Sequence, residues 1–231
     1  MAFFVTARLT ALYSALFEAM GQPVVEMHSR KSQSARTKAA DAFRNGTRCI
    51  MFSSDVSARG VDYPDVTLVL QARAPLTLTS PVIPPPPCGQ RRRQRQRPAA
   101  QVGLPSEKAQ YVHRVGRTAR AGKTGQGLIL LADFESHFLR QLGDLPLSPA
   151  PAPPDAAGAR AATAAGLARV DAETKAQAYR TWLGFYKGYV KACGWGLPEL
   201  VQQANHFARV IGAAPPAAAA CMPCETRVLR G

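Results

Sequence analysis

The chain has 231 residues and a formal net charge of +14, which allows one domain of ordinary size with an appendage and favours an anionic partner. No run is long and apolar enough to span a bilayer, so nucleic acid is favoured over a membrane. The five cysteines (49, 88, 193, 221 and 224) are odd in number and scattered, and their one C-x-x-C has no second pair, which argues against a zinc site and reads as free thiols in a reducing compartment.

Residues 2–5 are a short apolar run that reads as a strand entering a helix and not as a cleavable signal. Ala11, Leu12, Ala15, Leu16 and Ala19 then form a helical stripe that Gly21 stops. Pro23–Met27 is a second strand candidate. Ser34 to Phe43 is helical and is closed by Asn45-Gly46. Residues 48–53, 66–70 and 127–131 are three further apolar strands. Continuous apolar strands alternating with helices predict an α/β fold, a parallel sheet covered by helices on both faces.

Two segments break the pattern. Residues 72–101 hold a proline run and then Arg91, Arg92, Arg93, Arg95 and Arg97; with Arg73 that makes six arginines and no acid, and the rest of the chain still carries +8. Such a stretch packs neither as core nor as strand, so it reads as disordered. Residues 146–166, rich in Ala and Pro, read as a linker. Residues 167–212 return to helical periodicity, with Tyr179, Trp182, Phe185, Tyr186 and Tyr189 on one face and Leu200, Val201, Ala204 and Phe207 in a following helix. Packing is the expected role of that aromatic stripe. Residues 213–231 are a low-complexity tail.

Two stretches carry the chemistry. YVHRVGRTARAG (111–122) sets Arg114, Arg117 and Arg120 at a spacing that puts them on roughly one helix face, where they repel unless an anion supplies the missing charge. SSDVSARGVD (53–62) directly follows a buried strand, at the sheet edge where ligands bind in open α/β folds. Its hydroxyls and glycine allow close approach to phosphate oxygens, and a carboxylate can accept from a ribose hydroxyl.

Together these stretches resemble motifs V and VI of the DEAD-box RNA helicases, with FFVTAR (3–8) similar to motif IV and SQSARTKAADAFRNG (32–46) to motif IVa. The resemblance covers 1–71 and 102–145 and implies the second, RecA-like helicase domain over residues 1–145. In that family the positions matching Arg117 and Arg120 reach ATP phosphates across a cleft, the last as an arginine finger. Those matching Gly60 and Asp62 line the nucleotide site. The His113 counterpart contacts the other helicase domain, the Arg114 counterpart is structural, and Arg36 and Ser54 match positions that hold the RNA backbone. The stretch 175–212 is similar to the small helical C-terminal extension of an organellar subgroup, which implies a mitochondrion or plastid.

The chain departs from the family in two respects. It has no G-x-x-x-x-G-K-[ST] and no Asp-Glu-Ala-Asp run, so ATP and Mg²⁺ are expected to be held mainly by an N-terminal helicase domain that this sequence lacks. The family also runs from VTLVLQ straight into VGLPSEKAQYVHR, whereas here 72–101 intervenes with Gln71 and Gln101 at its two junctions. A retained intron is the preferred account of that segment, and a genuine basic RNA-binding loop the competing one. The expected function is the C-terminal part of an ATP-dependent RNA helicase, inactive in hydrolysis alone, with weak RNA sequence preference. The alternative is a stand-alone, non-catalytic RNA-binding module.

Overall fold

Successive residues of a strand point to opposite faces of its sheet, and the first strand already shows both faces buried. In the computed structural model, which describes residues 1–46, 49–55, 66, 68–71, 101–102, 104–118, 126–149 and 158–213, β1 spans Ala2–Phe3. Phe3 lies in an apolar cluster with Met1, Met27, Met51, Val66 and Val69, covered by Ala39, Ala40 and Phe43. Ala2 and Phe4 join a second cluster with Leu9, Leu12 and Leu16. Helix α1 (Ala7–Ala19) therefore covers one face and α2 (Gln33–Asn45) the other. Hydroxyls start both: Thr6 Oγ1 accepts from Leu9 N–H at 3.3 Å and Ser32 Oγ from Ala35 N–H at 3.2 Å.

The other strands are β2 (Val25–Met27), β3 (Met51–Ser53), β4 (Leu68–Gln71), β5 (Gln101–Val102) and β6 (Gln126–Leu130). All their pairings are parallel, in the order β2-β3-β1-β4-β5-β6. This is the α/β architecture expected. The two-residue β5 corrects one end of the stretch 72–101, expected to be disordered: Gln101 is in the sheet, in a strand too short to have a periodicity to read. Its register is specific: β4 sets Leu70 against Leu128 of β6, and β5 then sets Gln101 against Ile129 and Val102 against Leu130. The intervening residues 72–100, the distal part of the C-terminal tail and Cys88, Cys221 and Cys224 fall outside the described residues.

After the 3-10 helix Asp133–Leu142 come α4 (Ala159–Arg169), α5 (Ala172–Lys187) and α6 (Leu197–Ile211). Helix α4 begins inside the stretch expected to be a linker. Alanine is the strongest helix former, and from Ala159 onward no proline interrupts the run. Gly166 lets α4 lie close on α1, since a Cβ there would sit 2.8 Å from Leu16 Cδ1 and from Met20 Cγ. The Arg169 guanidinium also donates to the Ala19 carbonyl at 2.8 Å.

The aromatic stripe packs as expected: Tyr179, Trp182 and Tyr186 are buried in the same cluster as α1, Phe4 just beyond β1 and Phe52 of β3. On α6 the buried positions are Leu200, Ala204, Phe207, Ala208 and Ile211. Val201, expected among them, is exposed. It sits about 100° round the helix from Leu200 and misses the inward face. Among the described residues no helix is long and apolar enough to cross a membrane.

Candidate functional site

Helix α3 (Lys108–Val115) is two turns long, and Gly116 ends it. That ending overturns the expectation that Arg114, Arg117 and Arg120 share a helix face. Arg114 turns inward and is fully buried. Its Nε donates to Asp55 Oδ1 at 2.6 Å, and its guanidinium carbon lies 5.6 Å from the centre of the Phe3 ring. The anion that supplies its missing charge is thus a carboxylate of this chain. Arg117 lies just beyond the helix, half-buried, with its Nε donating to the His113 carbonyl at 3.2 Å. Thr118 is buried and its hydroxyl donates to the Val66 carbonyl at 2.6 Å, which ties the turn to the segment entering β4.

Buried anchors therefore stand on either side of Arg117. The outward surface of α3 carries Val112 and His113, both exposed. Arg120, Gly60 and Asp62 lie outside the described residues. The sequence singled out Asp55 as one of several loop groups but gave no sign that Arg114 was its partner.

At the carboxyl end of β3, Ser54 is buried; its N–H donates to the Met27 carbonyl at 3.1 Å and its carbonyl accepts the Ser53 hydroxyl at 2.7 Å. Arg36, near the start of α2, is half-buried, and its Nε is enclosed with no hydrogen-bond partner among the described residues. The turn leading to α2 is held by a group the sequence did not reveal. His28 Nδ1 accepts from Arg30 N–H at 3.2 Å, and Nε2 donates to Glu26 Oε1 at 2.9 Å. Lys31 Nζ lies 2.5 Å from Glu26 Oε2. Burial pushes the Glu26 carboxyl up, but the hydrogen bonds from His28 and Lys31 outweigh it and hold the group below its ordinary value. An E-x-H across a strand end was the one available signal. Arg36 and Ser54 are thus each set on a fixed element, while α3 and Asp55 meet through a non-local ion pair.

Breaking a buried ion pair from one side leaves the other charge in low dielectric and costs about 3–5 kcal/mol. The Asp55 side chain is 35% exposed, so Asp55→Asn is expected to cost less, about 2–3 kcal/mol. Urea unfolding measures it. A loss below about 0.5 kcal/mol, the level of an ordinary surface change, would mean that Asp55 does not balance Arg114.

The helicase conserved C-terminal domain description matches residues 1–122. DEAD-box ATP-dependent RNA helicase 26 of Arabidopsis thaliana is 40% identical over 216 residues, covering 93% of this chain and 22% of that protein. Its namesake in Oryza sativa subsp. japonica is also 40% identical over 216 residues, 94% of this chain and 34% of that protein. This chain thus spans between about a fifth and a third of these relatives. Among solved structures, Mss116p with its NTE and C-tail deleted, bound to ssRNA and AMP-PNP, gives a TM-score of 0.65 at 20% identity over 92% of this chain and 37% of that one. Mss116p helicase domain 2 bound to an RNA duplex gives 0.61 at 22% identity, over 92% and 73%. Those matches show the RecA-like fold, over a share of the chain that takes in the helical extension. With its parallel sheet and the matched residues 1–122, the chain belongs to the helicase conserved C-terminal domain family and is similar to the DEAD-box RNA helicases.

Proposed function

We propose that this chain is the part of an ATP-dependent RNA helicase that grips the RNA backbone and presents arginine to a nucleotide. The observation that carries the proposal is the mounting of Arg117: Arg114 and Thr118 are buried and tied to Asp55 and Val66, and Arg117 is held between them beside the exposed His113. A cation on a fixed mount fits phosphate oxygens, because preorganised charge needs no reorganisation as the reaction proceeds. ATP, when bound, supplies the phosphoryl group that passes to water. Arg117, with Arg120, would donate to its oxygens as charge spreads over them. Gly60 and Asp62 are assigned to the nucleotide, and His113 to the facing helicase domain. The Mg²⁺ that accompanies ATP is assigned to that other domain.

Arg36 and Ser54 are assigned to RNA phosphates. Contacts of that kind position a strand without reading its bases. Arg36 supports the assignment as a half-buried guanidinium whose Nε has no acceptor among the described residues.

The test is RNA-stimulated ATP hydrolysis by this chain, alone and then with a separately supplied first helicase domain. Hydrolysis is expected in the pair and not in the chain alone. RNA binding that neither ATP nor the added domain changes would support the stand-alone binding module instead, which the +14 charge also favours.

A further inference from the structure

A helix of two turns does not hold itself, and Glu107, just before α3, gives it no side-chain cap. Its inner face holds it instead. Tyr111 belongs with Leu104, Phe138 and Leu142 to a buried apolar cluster, and Val115 packs on that cluster. Two further rings against it, Phe185 and Tyr189, come from the helical extension. They stack on each other with centroids 4.9 Å apart. The Tyr189 phenol is raised by burial, and the charge of Arg114 pulls it back. The extension therefore reaches the underside of the arginine-bearing helix.

A polar tie runs beside these rings. Glu135 is fully buried in the 3-10 helix. Its Oε2 accepts from Ala132 N–H at 2.9 Å, and its Oε1 accepts from the Tyr186 hydroxyl at 2.5 Å. A buried carboxylate is costly unless its oxygens receive donors, so the position of this 3-10 helix depends on α5. The same 3-10 helix contributes Phe138 and Leu142 to the cluster beneath α3. Phe134 adds an edge contact to Tyr186, centroids 5.8 Å apart, and a tilted one to Trp195 at 4.4 Å.

We infer that Tyr186 and Glu135 are a positioning pair through which the helical extension sets α3, and with it Arg117. The consequence for hydrolysis rests on the role proposed for Arg117; the mechanical link does not. A hydroxyl that merely adds stability would affect the whole domain evenly. A positioning hydroxyl acts first on α3.

Tyr186→Phe separates the two. It keeps the ring and its contact with Trp182, centroids 4.4 Å apart, and removes one donor. The control is Tyr179→Phe, whose lost hydroxyl donates to Asn205 within the extension at 3.3 Å. Amide exchange is followed in the full chain. In Tyr186→Phe, exchange over 108–118 is expected to rise about tenfold while α1 and α2 hold their protection. Tyr179→Phe is expected to leave 108–118 at its original rate. Glu135→Gln, which trades an acceptor for a donor, is expected to follow Tyr186→Phe. Unchanged exchange over 108–118, or equal acceleration throughout the domain, overturns the inference. In the reconstituted pair, Tyr186→Phe is expected to lower kcat about tenfold with KM unchanged. If the wild-type pair hydrolyses no ATP, the nucleotide role of Arg117 fails, and amide exchange still decides the positioning link.

Discussion

Trp182→Ala is expected to cost about 3–5 kcal/mol, the usual loss for deleting a buried ring, and to weaken sheet and extension together. Trp182 is 1% exposed and heads the fully buried side chains by size. It stacks on Phe207, centroids 5.5 Å apart, and leans on Tyr186. The cluster it belongs to runs without a break into Leu9, Leu12 and Leu16 of α1 and Phe52 of the sheet. A shared core of this kind unfolds as one unit. Denaturant unfolding followed by Trp195 fluorescence and by far-ultraviolet circular dichroism should therefore show one coincident transition, moved to lower denaturant. Two separate transitions, with the sheet's left in place, would mean that the extension has a core of its own. The loss is large beside the 5–15 kcal/mol that usually holds a domain together, so low temperature is the better condition for the measurement.

The second large effect is kinetic. Arg117→Ala is expected to lower the kcat of the reconstituted pair by about 10³-fold or more, the scale of an arginine that stabilises a transferring phosphoryl group. Arg117→Lys should restore little, because an ammonium cannot offer the planar fork of a guanidinium. Stability should hardly change, since Arg117 is half-buried and the anchoring is done by Arg114 and Thr118. A residual rate within tenfold of the parent would take Arg117 out of the reaction. Comparison with Asp55→Asn is informative, because that change attacks the mount and not the group it carries.

The contrast between Arg114 and Arg117 shows what a sequence can and cannot reveal. Both stand in one short cationic run, and helical spacing alone puts them side by side. The structure separates them because Gly116 ends the helix between them and because Asp55, far away in the chain, waits for one of the two. Pairings across such sequence distance leave no periodic trace. The elements that were legible are those with a local signature: α1 has an apolar stripe stopped at Gly21, α2 is closed by Asn45-Gly46, and β3 and β6 have apolar runs. Helix α4 was masked by its alanine-rich, weakly patterned composition, and its packing on α1 depends on one missing side chain at Gly166. Glu26 and His28 escaped notice because each is ordinary alone. Their role comes from a strand end that turns Arg30 and Lys31 towards them.

The register of β6 treats the two glutamines at the junctions of 72–101 as interchangeable. Opposite β6, Leu70 occupies the step at Leu128 and Val102 the step at Leu130, so one vacancy remains at Ile129, and Gln101 takes it. In a chain shortened by residues 72–101, Gln71 would follow Leu70 into that vacancy and Val102 would keep its place. Opposite β6 the shortened strand would fill the same rungs with the same residue types, and the pairing of Gln71 with Val102 between β4 and β5 would be lost. A ladder indexed in this way is indifferent to how much polypeptide loops out between two of its rungs, and the entropic cost of a longer excursion grows only logarithmically. This point of the fold is therefore a natural splice port: sequence can enter or leave there, by evolution or by design, without re-indexing the strand that leads to α3.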